Sequence, residues 1–245
     1  MTTDLSATTA LVTGATSGIG RATAYQLAAL GSHVILSGRD AGRGEEAVAH
    51  IRANGGKADF IAADLRDEAS ARELARAAVR LGGKVDILVN NAGVYPFAST
   101  HETTAAQFDA VYDLNVRVPF FLVAELAPAM AERGEGAIVN VTTMVAEFGM
   151  PGAALYGSSK AAVVLLTKAW AAEYGRAGVR VNAVSPGPTS TEGTAHLGDG
   201  LAAFAPAGRL ADAREIADAI VFLAGGTASF VHGAVLPVDG GRIAV

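Results

Sequence analysis

A chain of 245 residues that is 51% hydrophobic can fill one large core, and its lack of cysteine excludes disulfide frameworks, thiolate metal sites and cysteine nucleophiles. The net charge of −5, with lysine only at Lys57, Lys84, Lys160 and Lys168 and no basic run, argues against nucleic acid as a partner, because phosphate backbones demand clustered positive charge. Residues 1–6 lack a basic stretch leading into an apolar one, and later apolar runs are broken by charge or glycine before the ~18 residues of a spanning helix, so neither secretion nor a membrane is expected and a cytoplasmic location fits best.

Along the chain, short β-branched runs alternate with longer amphipathic stretches. Strands are predicted at 10–12, 34–36, 60–62, 87–89, 138–141, 179–184 and 234–238, and helices at 19–30, 42–53, 68–81, 105–132, 153–174 and 213–223. The predicted fold is a single α/β domain over 1–245, a Rossmann-type doubly wound parallel sheet of about seven strands with helices on both faces. Such sheets bind ligands beyond the carboxyl ends of their strands, so motifs are sought there.

Directly after the first strand, Thr13-Gly14-Ala15-Thr16-Ser17-Gly18-Ile19-Gly20 opens into a helix. Glycines let the backbone turn tightly and approach a pyrophosphate, and the helix amino terminus supplies free N–H groups and positive dipole. The Gly-x-x-x-Gly-x-Gly spacing differs from the common Gly-x-Gly-x-x-Gly fingerprint, and alone it also suits a ligand-free strand-to-helix turn. The second strand ends Leu36-Ser37-Gly38-Arg39-Asp40. A carboxylate there suits the ribose hydroxyls of NAD, whereas an arginine pairs with a 2′-phosphate. Gly38 followed by Arg39 therefore favours NADP(H), with NAD(H) as the alternative, and Asp40 is assigned to capping the next helix. Asp64, beside Leu65 past the third strand, either accepts a hydrogen bond from an adenine amino group or caps the helix beginning near Asp67.

Three further signatures follow in order: Asn90-Asn91-Ala92-Gly93 after strand four, Tyr156-Gly157-Ser158-Ser159-Lys160 at a helix start, and Pro186-Gly187 after strand six. With the glycine motif, they make the chain resemble the short-chain dehydrogenase/reductase family over nearly its whole length. The ending Val235-Leu236-Pro237-Val238-Asp239-Gly240-Gly241 is similar to that of its short oligomeric branch, which includes 3-oxoacyl-carrier-protein reductase-like enzymes. Independently of any family, residues four apart on a helix share a face, so the Lys160 ammonium is expected to favour the phenolate of Tyr156, a group with a usual pKa near 10.

The resemblance implies an NADP(H)-dependent carbonyl reductase or alcohol dehydrogenase acting on a small molecule. Hydride passes from the nicotinamide to a carbonyl carbon, Tyr156 protonates the oxygen, and Lys160 lowers the tyrosine pKa and holds the ribose. A hydroxyl ahead of the tyrosine orients the carbonyl and stabilises its developing charge. That position falls on Thr143, where the family usually carries serine; the added methyl restricts χ1 and crowds the pocket, so a narrower or shifted substrate range is expected. Thr142 is the alternative donor, although strand alternation points it the other way. Asn115 matches the fourth catalytic position, where a local kink frees a backbone carbonyl to hold a water linked to the lysine. Gly14, Thr16, Ser17, Gly18, Ile19 and Gly20 would take the phosphates, Asn91, Ala92 and Gly93 the nucleotide and its ribose. Pro186 and Gly187 would face the nicotinamide, with Thr189 or Thr191 on its carboxamide. No metal is implied.

The substrate pocket is expected from 94–97, 145–150 and the loop 187–209, the last either a lid or an ordinary surface loop. It reads as apolar except for Glu147, which suits a polar or cationic substrate group or simply solvent. The stretch Arg133-Gly134-Glu135-Gly136-Ala137 carries too little positive charge to support docking of an acyl carrier protein. The surplus of apolar residues on helices 105–132 and 153–174 predicts a homotetramer, or at least a homodimer. Rival readings are an NAD-dependent dehydrogenase of the same family and a non-catalytic nucleotide-binding regulator; the presence of both Tyr156 and Lys160 speaks against the second.

Overall fold

The computed structural model describes residues 4–194, 200, 202 and 205–245. Each predicted strand forms: β1 (Thr9–Thr13), β2 (His33–Gly38), β3 (Lys57–Ala62), β4 (Ile87–Asn90), β5 (Gly136–Val141), β6 (Val179–Pro186), a short pair β7 (Thr189–Ser190) and β8 (Ala211–Asp212), and β9 (Val235–Val238). The longer ones make a seven-stranded parallel sheet in the order β3-β2-β1-β4-β5-β6-β9. Its inner strands are buried on both faces, which is why β1 and β4 read as continuous apolar runs and not as alternating ones.

The helices are α1 (Gly18–Ala29), α2 (Ala41–Ala53), α3 (Glu68–Gly82), α4 (Ala105–Tyr112), α5 (Val118–Arg133), α6 (Ala154–Tyr174) and α7 (Ala213–Ala224). Alternate side chains of one strand feed two cores. Ala10 and Val12 of β1 join α1, α2 and α7 through Leu27, Ile51 and Ile220, while Leu11 joins α3, α5 and α6 through Leu74, Leu122 and Trp170. Truncating one of these leucines or isoleucines to alanine would cost about 2–5 kcal/mol.

The helix predicted over 105–132 is in fact two. A π-helical turn, Asp113–Arg117, joins α4 to α5, with the Val118 N–H reaching the Asp113 carbonyl. The cause is Asn115, whose side chain leaves the helix to bond Val94 and Ser159, so the backbone widens by one residue there. By length and hydropathy Ala105–Arg133 would also pass for a membrane span, but Leu122, Leu126 and Met130 are buried against the sheet.

Successive connections run from β1 outward to β3, then return to β4 and run outward the other way. The loops after β1 and β4 diverge at this switch, opening a crevice at their carboxyl ends. Of the predicted lid 187–209, residues 195–199, 201, 203 and 204 lie outside the described residues. Its two ends are tied by β7 and β8, which pair Thr189 with Ala211 and Ser190 with Asp212.

Candidate active site

The crevice is one cavity of about 830 Å³ running from the β2 and β3 ends, past β1 and β4, to the β5 and β6 ends. At its centre the turn after β1 is fixed by Thr13, whose hydroxyl oxygen accepts the N–H groups of Asn91 (3.0 Å) and Ala92 (3.0 Å). The Asn91 side-chain amide donates back to the carbonyls of Thr13 (2.9 Å) and Gly14 (3.1 Å), so this asparagine shapes the turn itself. Gly14 has φ +63°, and a Cβ there would stand 2.9 Å from the Asn91 amide nitrogen. Ser17, at the α1 start, makes no side-chain cap, and the first turn's amides suit an anion. One of them, Gly18 N–H, donates to the Glu192 carboxylate (3.1 Å), and Glu192 also pairs with Arg21. That pair lies outside the cavity lining and ties the segment after β7 to α1.

At one end Arg39 is exposed, lines the cavity and makes no ion pair among the described residues. Its rival Asp40 is committed: its carboxylate caps α2 at Arg43 N–H (3.0 Å) and pairs with the Arg43 guanidinium (2.7 Å), and these contacts hold its pKa below the usual range. Any side chain at position 38 would meet Thr16, whose methyl lies 2.7 Å from the Cβ position, so a carboxylate is sterically shut out beside the arginine. Asp64 and Leu65 line the same end. Asp64 is not a helix cap, since Asp67 caps α3 on Ser70 N–H (2.8 Å). The uncapped helix start, the close backbone turn and the unpaired arginine fit a dinucleotide bearing a 2′-phosphate.

At the other end, α6 is held on the sheet by a buried chain of amides and a hydroxyl. Asn90 donates to Asn140 (2.8 Å), Asn140 to Thr167 (2.8 Å), and Thr167 to the Val163 carbonyl (2.8 Å). Gly157 lets the start of α6 approach the turn after β5, because a Cβ there would lie 2.7 Å from the Val145 carbonyl oxygen. Tyr156 is thereby brought to the same cavity wall as Thr143, whose hydroxyl acts to lower the pKa of the phenol. The rings of Tyr95 and Phe97 stand edge-on to the phenol ring, with centroids 6.2 and 6.1 Å away. Thr142 does not compete, as its hydroxyl donates to the Val184 carbonyl (2.9 Å).

Lys160 lines the cavity one turn after Tyr156, but its ammonium donates to the Val141 carbonyl (2.8 Å). Burial brings its pKa down to about 8. The expected lowering of the tyrosine is absent: burial pushes Tyr156 up to about 12, the nearby Thr143 hydroxyl opposes this, and Tyr95 adds to it. Lys160 is not among the groups that shift the phenol.

Of the catalytic and cofactor-binding residues expected from the sequence, Asn115 and Gly20 are not in the cavity lining and the others are. Asn115 is fully buried; its side chain accepts from Val94 N–H (2.9 Å) and donates to the Val94 carbonyl (2.9 Å) and to Ser159 (3.0 Å). Pro186, Gly187, Thr189 and Thr191 form the last wall; Thr189 donates to the Gly187 carbonyl (2.9 Å), and Thr191 shares a hydrogen bond with Thr194 (3.0 Å). Glu147 is exposed and outside the main cavity, whose lining includes Arg242. Sequence reasoning missed Arg242, as well as the Arg21–Glu192 tie, because nothing local marks residues that meet only when distant loops converge.

A family profile described as enoyl-(acyl carrier protein) reductase matches residues 14–242. A solved structure of a short chain dehydrogenase/reductase family protein is 51% identical, covers 99% of this chain and 100% of its own, and superposes with a TM-score of 0.92. The chain belongs to the short-chain dehydrogenase/reductase family. Like other members of that family it is an NAD(P)-dependent oxidoreductase acting on CH–OH groups. It is also similar to gluconate 5-dehydrogenase of Gluconobacter oxydans (strain 621H), 39% identical over 97% of this chain and 95% of the relative. The structure of a gluconate 5-dehydrogenase from Burkholderia cenocepacia J2315 in complex with NADP and tartrate is 31% identical, with a TM-score of 0.93 over 99% of this chain and 97% of that one.

Proposed function

We propose that this dehydrogenase/reductase interconverts a carbonyl and a secondary alcohol with NADP(H) preferred over NAD(H), using Tyr156 as the proton donor. The observation that carries the reading is that Tyr156 and Thr143 line the same cavity as the glycine turn opening α1 and Arg39, which makes no ion pair among the described residues. The NADP held by the Burkholderia relative supports the cofactor assignment. Gly14 and Thr16 to Gly20 hold the pyrophosphate, Arg39 the 2′-phosphate, Asp64 and Leu65 the adenine, Asn91, Ala92 and Gly93 the adjoining ribose, and Pro186, Gly187, Thr189 and Thr191 the nicotinamide. When bound, NADPH supplies the hydride that reduces the carbonyl carbon.

The proton comes from the chain itself. With a pKa near 12 the phenol remains protonated at neutral pH, which is the form reduction requires. Thr143 donates to the carbonyl oxygen and holds it beside the phenol while negative charge develops. The buried Lys160 ammonium adds positive potential at the same wall, and Asn115 keeps Val94 and Ser159 in place behind it. We place the described residues 187–189, 191, 193 and 194, which line the cavity, beside the substrate within one working domain of 1–245, acting as a homo-oligomer; Phe120 on α5 and Leu165 on α6 are exposed apolar residues that suit contact between copies.

The test is NADPH oxidation against a panel of ketones, aldehydes and β-ketoesters, one cofactor consumed per carbonyl reduced. No turnover across the panel with either NADPH or NADH would remove the reading. Arg39→Ala should weaken NADPH binding by about 10–100-fold and leave NADH within about twofold, as a charge-assisted phosphate contact predicts. An equal loss for both cofactors would unseat the 2′-phosphate assignment.

Thr143 separates hydroxyl from methyl. Thr143→Ser should stay within about threefold of the parent rate, while Thr143→Ala should lose about 10²–10³ in kcat, the range for removing one oxyanion donor. Equal rates in all three would make that hydroxyl a bystander.

A further inference from the structure

The turn that follows β7 spans the crevice. It is closed by the Thr194 N–H on the Thr191 carbonyl (3.1 Å), and the Thr194 hydroxyl accepts the Thr191 N–H (2.9 Å) and donates to the Thr189 carbonyl (2.7 Å). On one side the Thr191 methyl lies against Gly18 of α1, where a Cβ would stand 3.1 Å from it. On the other, Gly193 lies against the Tyr95 hydroxyl, and a Cβ at position 193 would run into that oxygen. Thr189, Thr191, Gly193 and Thr194 line the cavity, as do Gly18 and Tyr95. Residues 189–194 therefore form a strap from the nucleotide lip of the crevice to the substrate lip.

Glu192 sits in the middle of this strap but is not in the cavity lining. Its carboxylate accepts the Gly18 N–H (3.1 Å) and pairs with Arg21 in the first turn of α1. An exposed ion pair alone adds little to the stability of a fold. This one is joined by a helix-start amide, so the carboxylate gains from the amide bond and the helix dipole together. The pairing of β7 with β8 fixes where the strap begins, and Glu192 fixes where it crosses α1. A contact that belongs to the strap and not to the sheet can break while the rest of the fold stays as it is.

We propose that Glu192 is a positioning residue whose clasp on Arg21 and the Gly18 N–H holds Thr191 over the bound dinucleotide, so that the clasp opens each time the cofactor enters or leaves. This rests on placing the dinucleotide along the same cavity, with its pyrophosphate at the α1 start. The clasp sets how long the cofactor stays and not which cofactor is chosen, because the 2′-phosphate lies at the far end beside Arg39.

Release of NADPH or NADH, followed by stopped-flow fluorescence after mixing with excess oxidised nucleotide, tests the clasp without any carbonyl substrate. Glu192→Ala should speed release of both by about tenfold, and Glu192→Gln, which keeps an oxygen for the Gly18 N–H, by about threefold. Arg21→Met should act in the same direction, and the double variant Arg21→Met/Glu192→Ala should match Glu192→Ala within about twofold, since both changes undo one clasp. Release from Glu192→Ala within about twofold of the parent, an effect confined to NADPH, or effects that multiply in the double variant would overturn the clasp and leave the cofactor assignment standing. A parent that takes up neither nucleotide in equilibrium dialysis would overturn both.

Discussion

Tyr156→Phe should reduce carbonyl turnover by about a thousandfold while the Kd for NADPH changes by less than about threefold, the loss typical of removing a positioned general acid. Phenylalanine keeps the ring between Tyr95 and Phe97 and deletes only the hydroxyl that meets Thr143. The cavity therefore retains its shape and its nucleotide contacts. Steady-state NADPH oxidation measures the first quantity and fluorescence titration of NADPH the second. Near-parental reduction by the variant would reject Tyr156 as the donor, and a parallel collapse of cofactor binding would show that the residue is structural.

Lys160→Met should do two opposite things: abolish most turnover, by about 10² or more, and make the protein harder to melt. Lys160 is only 5% exposed, and its pKa falls from 10.5 to about 8 because burial disfavours its charge. At 1.36 kcal/mol per pKa unit this is a penalty of about 3 kcal/mol at neutral pH. Losing the bond to the Val141 carbonyl returns about 1 kcal/mol of it. The net of about 2 kcal/mol corresponds to a rise in Tm of about 5 °C for a chain of this size. The pH dependence identifies the cause. Below about pH 8 both folded and unfolded chains carry the charge, and the penalty is complete. Between about 8 and 10.5 the unfolded chain binds the extra proton, so wild-type stability gains on the variant as pH rises. A lower Tm for Lys160→Met at pH 7, or a gap that does not narrow towards pH 10, would contradict this account.

What could be read from the sequence was whatever local pattern encodes. Short apolar, β-branched runs placed every strand of the main sheet, the inner ones because they are buried on both faces, and the helix period found the helices because it reports which face of a helix is buried. The glycine turn and the Tyr156–Lys160 spacing were visible because each is complete within a few residues. Asp40 was correctly assigned to a helix cap for the same reason. The rest depended on partners far along the chain. The break in the long helix follows from Asn115 reaching Val94, and the ammonium of Lys160 follows the Val141 carbonyl in place of the phenol. Arg242 reaches the substrate end only because β9 closes the sheet beside β6, and the ring on which it rests belongs to the turn after β5. Glu147, read from the sequence as suiting a polar substrate group or simply solvent, is exposed and outside the main cavity, in keeping with the second.

The widened turn at Asp113–Arg117 also sets a rule for how this stretch can change length. The turn takes in its extra residue by widening, so α4 and α5 keep their faces in register on either side of it. The Tyr112 hydroxyl, 3.1 Å from Ser158, and the Phe108 ring stacked on Tyr112 mark the face that α4 holds toward α6. Removing one residue here would close the turn to regular winding with those faces kept, and the loss would fall on the reach of Asn115 to Val94 and Ser159. A one-residue deletion at this place would thus spare the helices and loosen the support behind the cavity wall.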